Sequence, residues 1–347
     1  MATTYKTFLN NDVTTTRTLL HEAIPITGSI VSGTYADANI KTYTADLFEG
    51  VYDYPYLSSS ANHIFDITCG YSAASALSGA ATDDGVTSAQ DIKNKINMYN
   101  EMAKVLSGYD VTGAIQPFDQ DGNIAAGGAK LKEIYVLNFA RLLTKDEIKK
   151  QTFSLQMGTG SVYSTALTAS IKTISDYGAT NEYRVNSPAG EYGILYTASA
   201  AVEGTGVGLL YYQAGVAILT ASIFDLSEMD TAGNLVAAEL SGSSITDNAN
   251  AFRHRFENVS FNNTTELNST IYFCRVNHNE FNYSANPTYL SQSQIVVKQQ
   301  TTDAPVSFIT TVGMYSADNE LLAVAKLSEP LKKDPNNELI LRVRLDY

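Results

Sequence analysis

The sequence has no tryptophan, two cysteines, four histidines and few charged residues. Cys69 and Cys274 lie far apart, and neither has a second thiol nearby, which excludes a disulfide framework and a thiolate zinc site. Charged residues make up 17% of the 347 positions, below the usual quarter. The chain has 36 acidic and 23 basic residues and a net charge of -13, so we expect no nucleic-acid partner.

The first twenty residues lack the basic start and the continuous apolar core of a secretory signal, so we expect no export by that route. The nearest approach to a membrane span is 204–224, which carries no charge. Polar and small residues interrupt it, and Gln213-Ala214-Gly215 stands at its centre. This pattern favours a hairpin of two buried strands over the alternative of a membrane span.

Tyrosine is abundant, with 22 residues, and short polar residues fill much of the remainder. We predict a β-rich α+β fold in which antiparallel sheets pack in a sandwich-like way, with a few short helices. The best helix is predicted at about 88–107, beginning near Ser88 and ending at Gly108. Its apolar residues recur every three or four positions, so one face should pack on a sheet.

Strand patterns surround this helix. Residues 131–143 predict a strand, Thr144 opens a capping-box pattern for a short helix ending near Lys150, and 153–157 alternate as a further strand. Composition suggests three regions: an N-terminal α+β region at 1–157, a low-charge β-rich region at 158–250 and a C-terminal β region at 251–347.

The C-terminal region has the clearest strand patterns. Residues 269–276 form one predicted strand, and 306–315 and 321–327 flank a hairpin loop at 316–320. The closing run, 339–347, alternates apolar residues with Arg342 and Arg344. A strand in this position is ordered only if a sheet holds it.

Motifs for catalysis or ligand binding are incomplete. The four histidines form no metal-binding pair at helical spacing, and Gly204, Gly206 and Gly208 precede a strand pattern instead of the helix that a phosphate loop needs. Residues 119–130 imitate a calcium loop but lack its glycine and final glutamate, so a polar turn is favoured. Carboxylate pairs at 83–84 and at Glu228 with Asp230 leave glycoside hydrolysis open. We predict no enzyme activity and no catalytic, cofactor or metal site.

Two clusters are candidates for protein contacts. Tyr52, Tyr54 and Tyr56 lie two apart, so an extended segment would project all three from one face as an interface strip. The alternative is a half-buried strand edge. A basic cluster, formed by Arg253, His254, Arg255 and Lys298, is interpreted as solvated strand faces, with salt bridges to a partner as the other possibility.

The run TTVGMYSADNELLAVAKLSEPLKK, at 310–333, is similar to a segment of tail-fibre and baseplate-associated proteins of tailed bacteriophages. Residues 51–68 and 277–290 also resemble virion structural proteins of contractile-tailed phages, whereas 158–250 carries no such resemblance. The similarity marks Val312, Tyr315 and Leu322 as interface candidates, and Tyr347 is added from the closing strand.

The resemblance implies a structural virion protein of the baseplate or tail, assembled in the host cytoplasm and docked to other virion proteins. Low charge and abundant Tyr, Thr and Asn are compatible with a homo-oligomer or a symmetric hetero-assembly. A capsid-decorating or connector protein of the head or neck is one alternative. A tail-associated polysaccharide hydrolase that uses a carboxylate pair is another.

Overall fold

A computed structural model describes residues 5–26, 37–79, 89–124, 128–158, 171–197, 201–202, 204–224, 240, 244–253, 255–283, 290–291, 294–295, 302 and 306–347. The chain divides into two compact units. The terminal unit comprises Met1–Leu19 and Glu266–Tyr347, and the central unit comprises Leu20–Thr265. The three regions expected from composition stay a prediction.

Strands dominate the described residues, and the ladders between the strands from residue 40 onward are antiparallel, which confirms the predicted fold class. The strands are β1 Val13–Ile26, β2 Ile40–Thr42, β3 Glu49–Tyr52, β4 His63–Tyr71, β5 Glu133–Phe139, β6 Glu147–Ile148, β7 Ser154–Gly158, β8 Ile171–Ser175, β9 Tyr192–Leu195, β10 Gly208–Tyr211, β11 Val216–Thr220, β12 Phe256–Val276, β13 Leu290–Ser291, β14 Gln294–Ile295, β15 Ser307–Tyr315, β16 Leu321–Lys333 and β17 Leu339–Asp346. The helices are α1 Ala89–Leu106, α2 Arg141–Thr144, α3 Ala179–Glu182 and α4 Ile245–Arg253.

The central unit is built on a seven-stranded sheet in the order β2-β3-β4-β5-β11-β10-β9. β10 and β11 form the hairpin predicted within 204–224, and Gly215 adopts a φ of 68° in its turn. Every residue of these two strands is buried, because both faces of the sheet are covered. Among the described residues, no helix is both long and apolar enough to cross a membrane.

One face of this sheet packs in a sandwich-like arrangement against β7, the first part of β12 and α4. Phe139 lies at the centre of this core. Its ring centroid is 5.3 Å from that of Phe261 and 6.0 Å from that of Phe153 on the covering layer, and 5.9 Å from that of Phe65 on the neighbouring strand. Aromatic side chains from both layers therefore close the core.

α1 covers the other face and confirms the predicted helix. Tyr99, Ala103 and Leu106 are buried in one cluster with the residues that point to this side of β5 and β11. Gly108 has a φ of 82°, and its amide donates a hydrogen bond to the Ala103 carbonyl at 2.9 Å. The helix therefore ends at a left-handed glycine, as the sequence predicts.

Gly70 allows α1 to approach β4 closely. A Cβ atom at this position would lie 2.5 Å from the Lys95 carbonyl oxygen and 2.9 Å from the Tyr99 amide nitrogen. Both are backbone atoms, so relief requires moving the helix. We expect Gly70→Ala to lower the free energy of unfolding by about 2 kcal/mol, measured by urea denaturation followed by circular dichroism.

Gly50→Ala is the matched control for this prediction. Gly50 lies in the adjacent strand β3. A Cβ atom at this position would have the side-chain oxygen Oδ1 of Asp66 as its nearest neighbour, at 3.3 Å. A side chain moves at little cost, so the loss should stay below about 1 kcal/mol. Equal losses at Gly50 and Gly70 would contradict the steric explanation.

The helix predicted at 144–150 is wrong. Helix α2 ends at Thr144, because Lys145 adopts a φ of 54°, and 147–148 form the short strand β6. Ile148 is fully buried, donates its amide hydrogen bond to the Tyr212 carbonyl at 3.0 Å and pairs with Asn263 of β12. Burial and sheet pairing outweigh the local capping pattern here. The next predicted strand is confirmed as β7.

In the terminal unit, β17 pairs with the second part of β12, so the closing strand is held in a sheet as predicted. Its residues alternate: Val343 is buried, and Arg342 and Arg344 are exposed. β15 and β16 form the predicted hairpin. The Ser316 amide donates to the Glu320 carbonyl at 2.8 Å to close its loop.

Candidate interaction surface

The β15–β16 hairpin is a two-stranded ribbon with unequal faces. Val312 lies opposite Ala325, and Met314 lies opposite Ala323. Directly paired residues share a face, so these four side chains lie on the same face of the ribbon. Met314 is buried and the other three are partly exposed and better covered than the residues between them, so this is the better covered face. Along β16 the residues between these positions point to the opposite face.

Large apolar side chains remain exposed on this hairpin. Leu322 is 69% exposed and Val324 is 52% exposed. We use the term hairpin surface for the five exposed residues Phe308, Tyr315, Leu321, Leu322 and Val324. Single exposed apolar residues are ordinary, but five of them along one two-stranded ribbon are typical of a contact surface.

Three of the predicted interface residues lie on this hairpin. Tyr315 and Leu322 belong to the hairpin surface, whereas Val312 is only partly exposed on the covered face. The Tyr315 ring packs against Tyr5, with 4.7 Å between the ring centroids. Tyr347 is 73% exposed beyond β17, and its hydroxyl lies 3.0 Å from the Thr270 Oγ1 atom. Their interface role stays a prediction.

Tyr52, Tyr54 and Tyr56 belong to the central unit and do not lie on one strand. β3 ends at Tyr52, and a turn follows in which the Ser58 amide donates to the Pro55 carbonyl at 2.7 Å. The Tyr52 and Tyr56 rings remain near each other, with centroids 6.4 Å apart, and Tyr54 is 56% exposed. The expected extended segment is wrong, because Pro55 begins a turn; the proposed contact role itself stays a prediction.

Sequence reasoning missed Phe308, Leu321 and Val324 as surface residues. An apolar run such as the one in β16 normally indicates a buried strand. In the structure these three side chains are exposed, on a ribbon that pairs with no third strand among the described ones. The available signal was the position of Leu321 and Val324 within the segment that resembles phage proteins.

The basic cluster is not the solvated face that the sequence indicates. Arg253 and Arg255 are both buried in the central unit. The Arg253 Nε atom donates to Asn250 Oδ1 at 2.8 Å and lies 3.9 Å from the Glu49 carboxylate. The interpretation was wrong because α4 packs into the core and carries its last residue with it. His254 and Lys298 lie outside the described residues.

Glu49 and Asp176 are buried carboxyl groups in the central unit. Thr42 Oγ1 donates to Glu49 at 3.4 Å, and burial raises the pKa of Glu49 to about 7. Asp176 accepts hydrogen bonds from the Gln151 amide at 2.7 Å and from the Tyr212 hydroxyl at 3.0 Å. Burial raises the pKa of Asp176 to about 6. Both groups are bonded within the fold, and both can change protonation near neutral pH.

The three histidines that the structure describes have separate partners. His21 Nδ1 lies 3.2 Å from Thr264 Oγ1, and His63 Nε2 lies 2.8 Å from Asp66 Oδ1. His278 contacts Glu338 at 3.2 Å. In the part of the chain that the structure describes, no group of three His, Cys, Asp or Glu residues could hold a metal ion.

The remaining motifs behave as structural elements. A Cβ at Gly206 would lie 2.4 Å from the Gln120 carbonyl oxygen, so this glycine permits close packing, as predicted. Asp119 forms an ion pair with Lys130, and its Oδ1 accepts the Asp121 amide at 3.1 Å, which makes the calcium-like segment a polar turn. The carboxylate pairs at 83–84 and 228–230 lie outside the described residues.

Comparisons of the chain with protein-family models, with curated proteins and with solved structures found no match.

Proposed function

We propose that this protein is a structural component of a tailed-phage virion, located in the baseplate or tail, where it holds neighbouring subunits or fibres in place. It is assembled in the host cytoplasm and acts by contact without transforming a substrate. The observation that carries the proposal is the hairpin surface, which presents five large apolar side chains to solvent.

The energetics of the hairpin support this proposal. A two-stranded ribbon is marginally stable in water without a covering layer. β16 is 13 residues long, and most of its residues are exposed. A neighbouring protein that covers the ribbon would remove apolar area from water at about 25 cal/mol per Å², and it would order both partners.

Low charge supports the same role. Burying a charged group without a partner weakens binding, so the cores of protein interfaces contain few charged residues. Charged residues form 17% of this chain. The hairpin segment is also the run that resembles tail-fibre and baseplate-associated proteins.

The proposal is tested on purified particles. We expect a mass-spectrometric inventory to contain this chain, and we expect antibodies against it to label the tail end of intact virions. Label on the head or neck would contradict the tail placement and favour a decorating or connector role. Absence of the chain from intact particles would overturn the structural role altogether.

Leu322→Asp should reduce incorporation of the chain into particles at least tenfold, because it places a charge within the apolar hairpin surface. Particles from cells that supply only the variant are compared by quantitative mass spectrometry. Leu142→Asp is the matched control, since Leu142 is 88% exposed on α2 in the central unit. Equal incorporation of the two variants would contradict a role for the hairpin.

A further inference from the structure

The exposed part of β16 has a self-complementary sequence. From Glu320, the last residue of the hairpin loop, to Lys326 in β16 the sequence reads ELLAVAK, with an acid at one end, a base at the other and apolar residues between them. Both charged side chains are exposed. In the part of the chain that the structure describes, β16 pairs only with β15, and its outer edge has no ladder partner there. Open edges readily take up another strand.

An antiparallel partner strand would match this segment in one register. If Ala323 lies opposite Ala323 of a second copy, then Lys326 faces the loop residue Glu320 of that copy. Val324 then faces Leu322, the residue at which β16 bulges against β15. Each of these pairs occurs twice about a two-fold axis, as an isologous contact requires. Opposite charges and apolar side chains placed directly across a ladder stabilise it.

We propose that β16 forms an intermolecular antiparallel ladder with β16 of a second copy of this chain, centred on Ala323. This inference rests on the proposed structural role and identifies a second copy as one of the neighbours. The contact combines main-chain hydrogen bonds along the open edge with the exposed side chains of the hairpin surface. The occupant is a second copy because Glu320 and Lys326 complement each other within a single sequence.

Neighbouring registers are worse. Moving the centre from Ala323 to Val324 places Leu322 opposite Lys326, and moving it to Leu322 places Val324 opposite Glu320. Each shift therefore sets an apolar side chain against a charge and separates the complementary ends. Pro330 limits the ladder on the other side, because it has no amide hydrogen to donate.

A cysteine at the centre tests the register. In the full chain carrying Cys274→Ser, Ala323→Cys places two thiols directly opposite each other. Opposite Cα atoms in an antiparallel ladder are about 4.5 to 5.5 Å apart, within the range of a disulfide. We expect oxidation to give a covalent dimer on non-reducing gels. Cys69 is buried, so it remains in the background unchanged.

Ala325→Cys in the same background is the control. In the proposed register Ala325 faces Leu321 of the second copy, and the two introduced thiols are offset by about 14 Å along the strands. We expect little dimer from this variant. Equal cross-linking at 323 and 325, or none at 323, would overturn the proposed pairing.

Charge substitutions give a second measurement without cysteines. Glu320→Lys or Lys326→Glu turns two attractive pairs into two repulsive ones, so the dissociation constant of the dimer should rise about tenfold in sedimentation velocity. The double variant that exchanges the two charges should return to within about threefold of the original value. Unchanged dissociation in both single variants, with circular dichroism showing a folded chain, would overturn the proposal.

The outcomes separate this inference from the proposed function. If Ala323→Cys gives no dimer but Leu322→Asp still reduces incorporation into particles, the strand pairing is wrong and the structural role stands. If the dimer forms but virions do not contain the chain, the pairing stands and the virion role is wrong.

Discussion

Phe139→Ala should lower the free energy of unfolding by about 4 kcal/mol, a large part of the stability of an ordinary domain. Phe139 is 3% exposed, and its ring contacts aromatic side chains from both layers of the central unit. Truncation removes apolar contact area and leaves a cavity between two sheets that cannot collapse freely. The measurement is urea denaturation followed by far-ultraviolet circular dichroism.

Phe308→Ala carries the same chemical change on the hairpin surface, where Phe308 is 47% exposed. We expect it to lower the free energy of unfolding by less than about 1 kcal/mol, since much of its area already contacts water. If the two variants lose equal stability, then Phe139 is not the centre of the core, and the description of the two packed layers is wrong.

Glu49→Gln should remove a large pH dependence of stability. The folded pKa of Glu49 is raised to about 7 from an ordinary value of 4.5. A raised carboxyl pKa contributes stability that is fully present below about pH 4.5 and is lost as the pH rises through about 7. The loss for the unmodified chain amounts to about 3 kcal/mol.

The neighbours of Glu49 set the size of this effect. Burial raises its pKa most, Arg253 on α4 opposes that rise, and Asp46 and Asp247 add to it. The difference in unfolding free energy between the unmodified chain and Glu49→Gln should therefore change between about pH 4.5 and pH 7 and level off at higher pH. Comparing the change with pH cancels any constant effect of the amide on packing.

Glu182→Gln is the control for this titration, because Glu182 is exposed on α3. If Glu182→Gln changed the stability profile as much as Glu49→Gln does, burial would not explain the effect. Asp176 has a raised pKa of about 6, so a smaller fall of the same sign persists in Glu49→Gln. A profile for Glu49→Gln that matches the unmodified chain would show that Glu49 does not titrate in this range.

Sequence patterns predicted the helices and strands whose conformation depends mainly on residues close to them in the sequence. The 3.6-residue periodicity and Gly108 identified α1, and alternation identified β7 and β17. The turn residues of 204–224 identified the β10–β11 hairpin. In each case propensity, turn chemistry and burial agree, so the segment has one favourable conformation.

Such patterns could not predict the structural features that depend on contacts with residues far away in the sequence. The capping-box pattern at Thr144 does not start a helix, because Ile148 pairs with a strand, β12, that lies more than a hundred residues later in the sequence. Arg253 resembles a surface residue until α4 packs into the core. The exposure of Val324 depends on which strands cover β16, and no spacing within the segment encodes that.

The register of the first strand has a consequence for synthesis of the chain. β1 is hydrogen-bonded to β12, and His21 contacts Thr264, 243 residues later. At about 5 to 20 residues per second, roughly 12 to 50 seconds separate the emergence of these two residues from the ribosome. During that interval β12, the strand that pairs with β1 among the described residues, has not yet been made, and the nascent N-terminal strand is open to premature association with other chains.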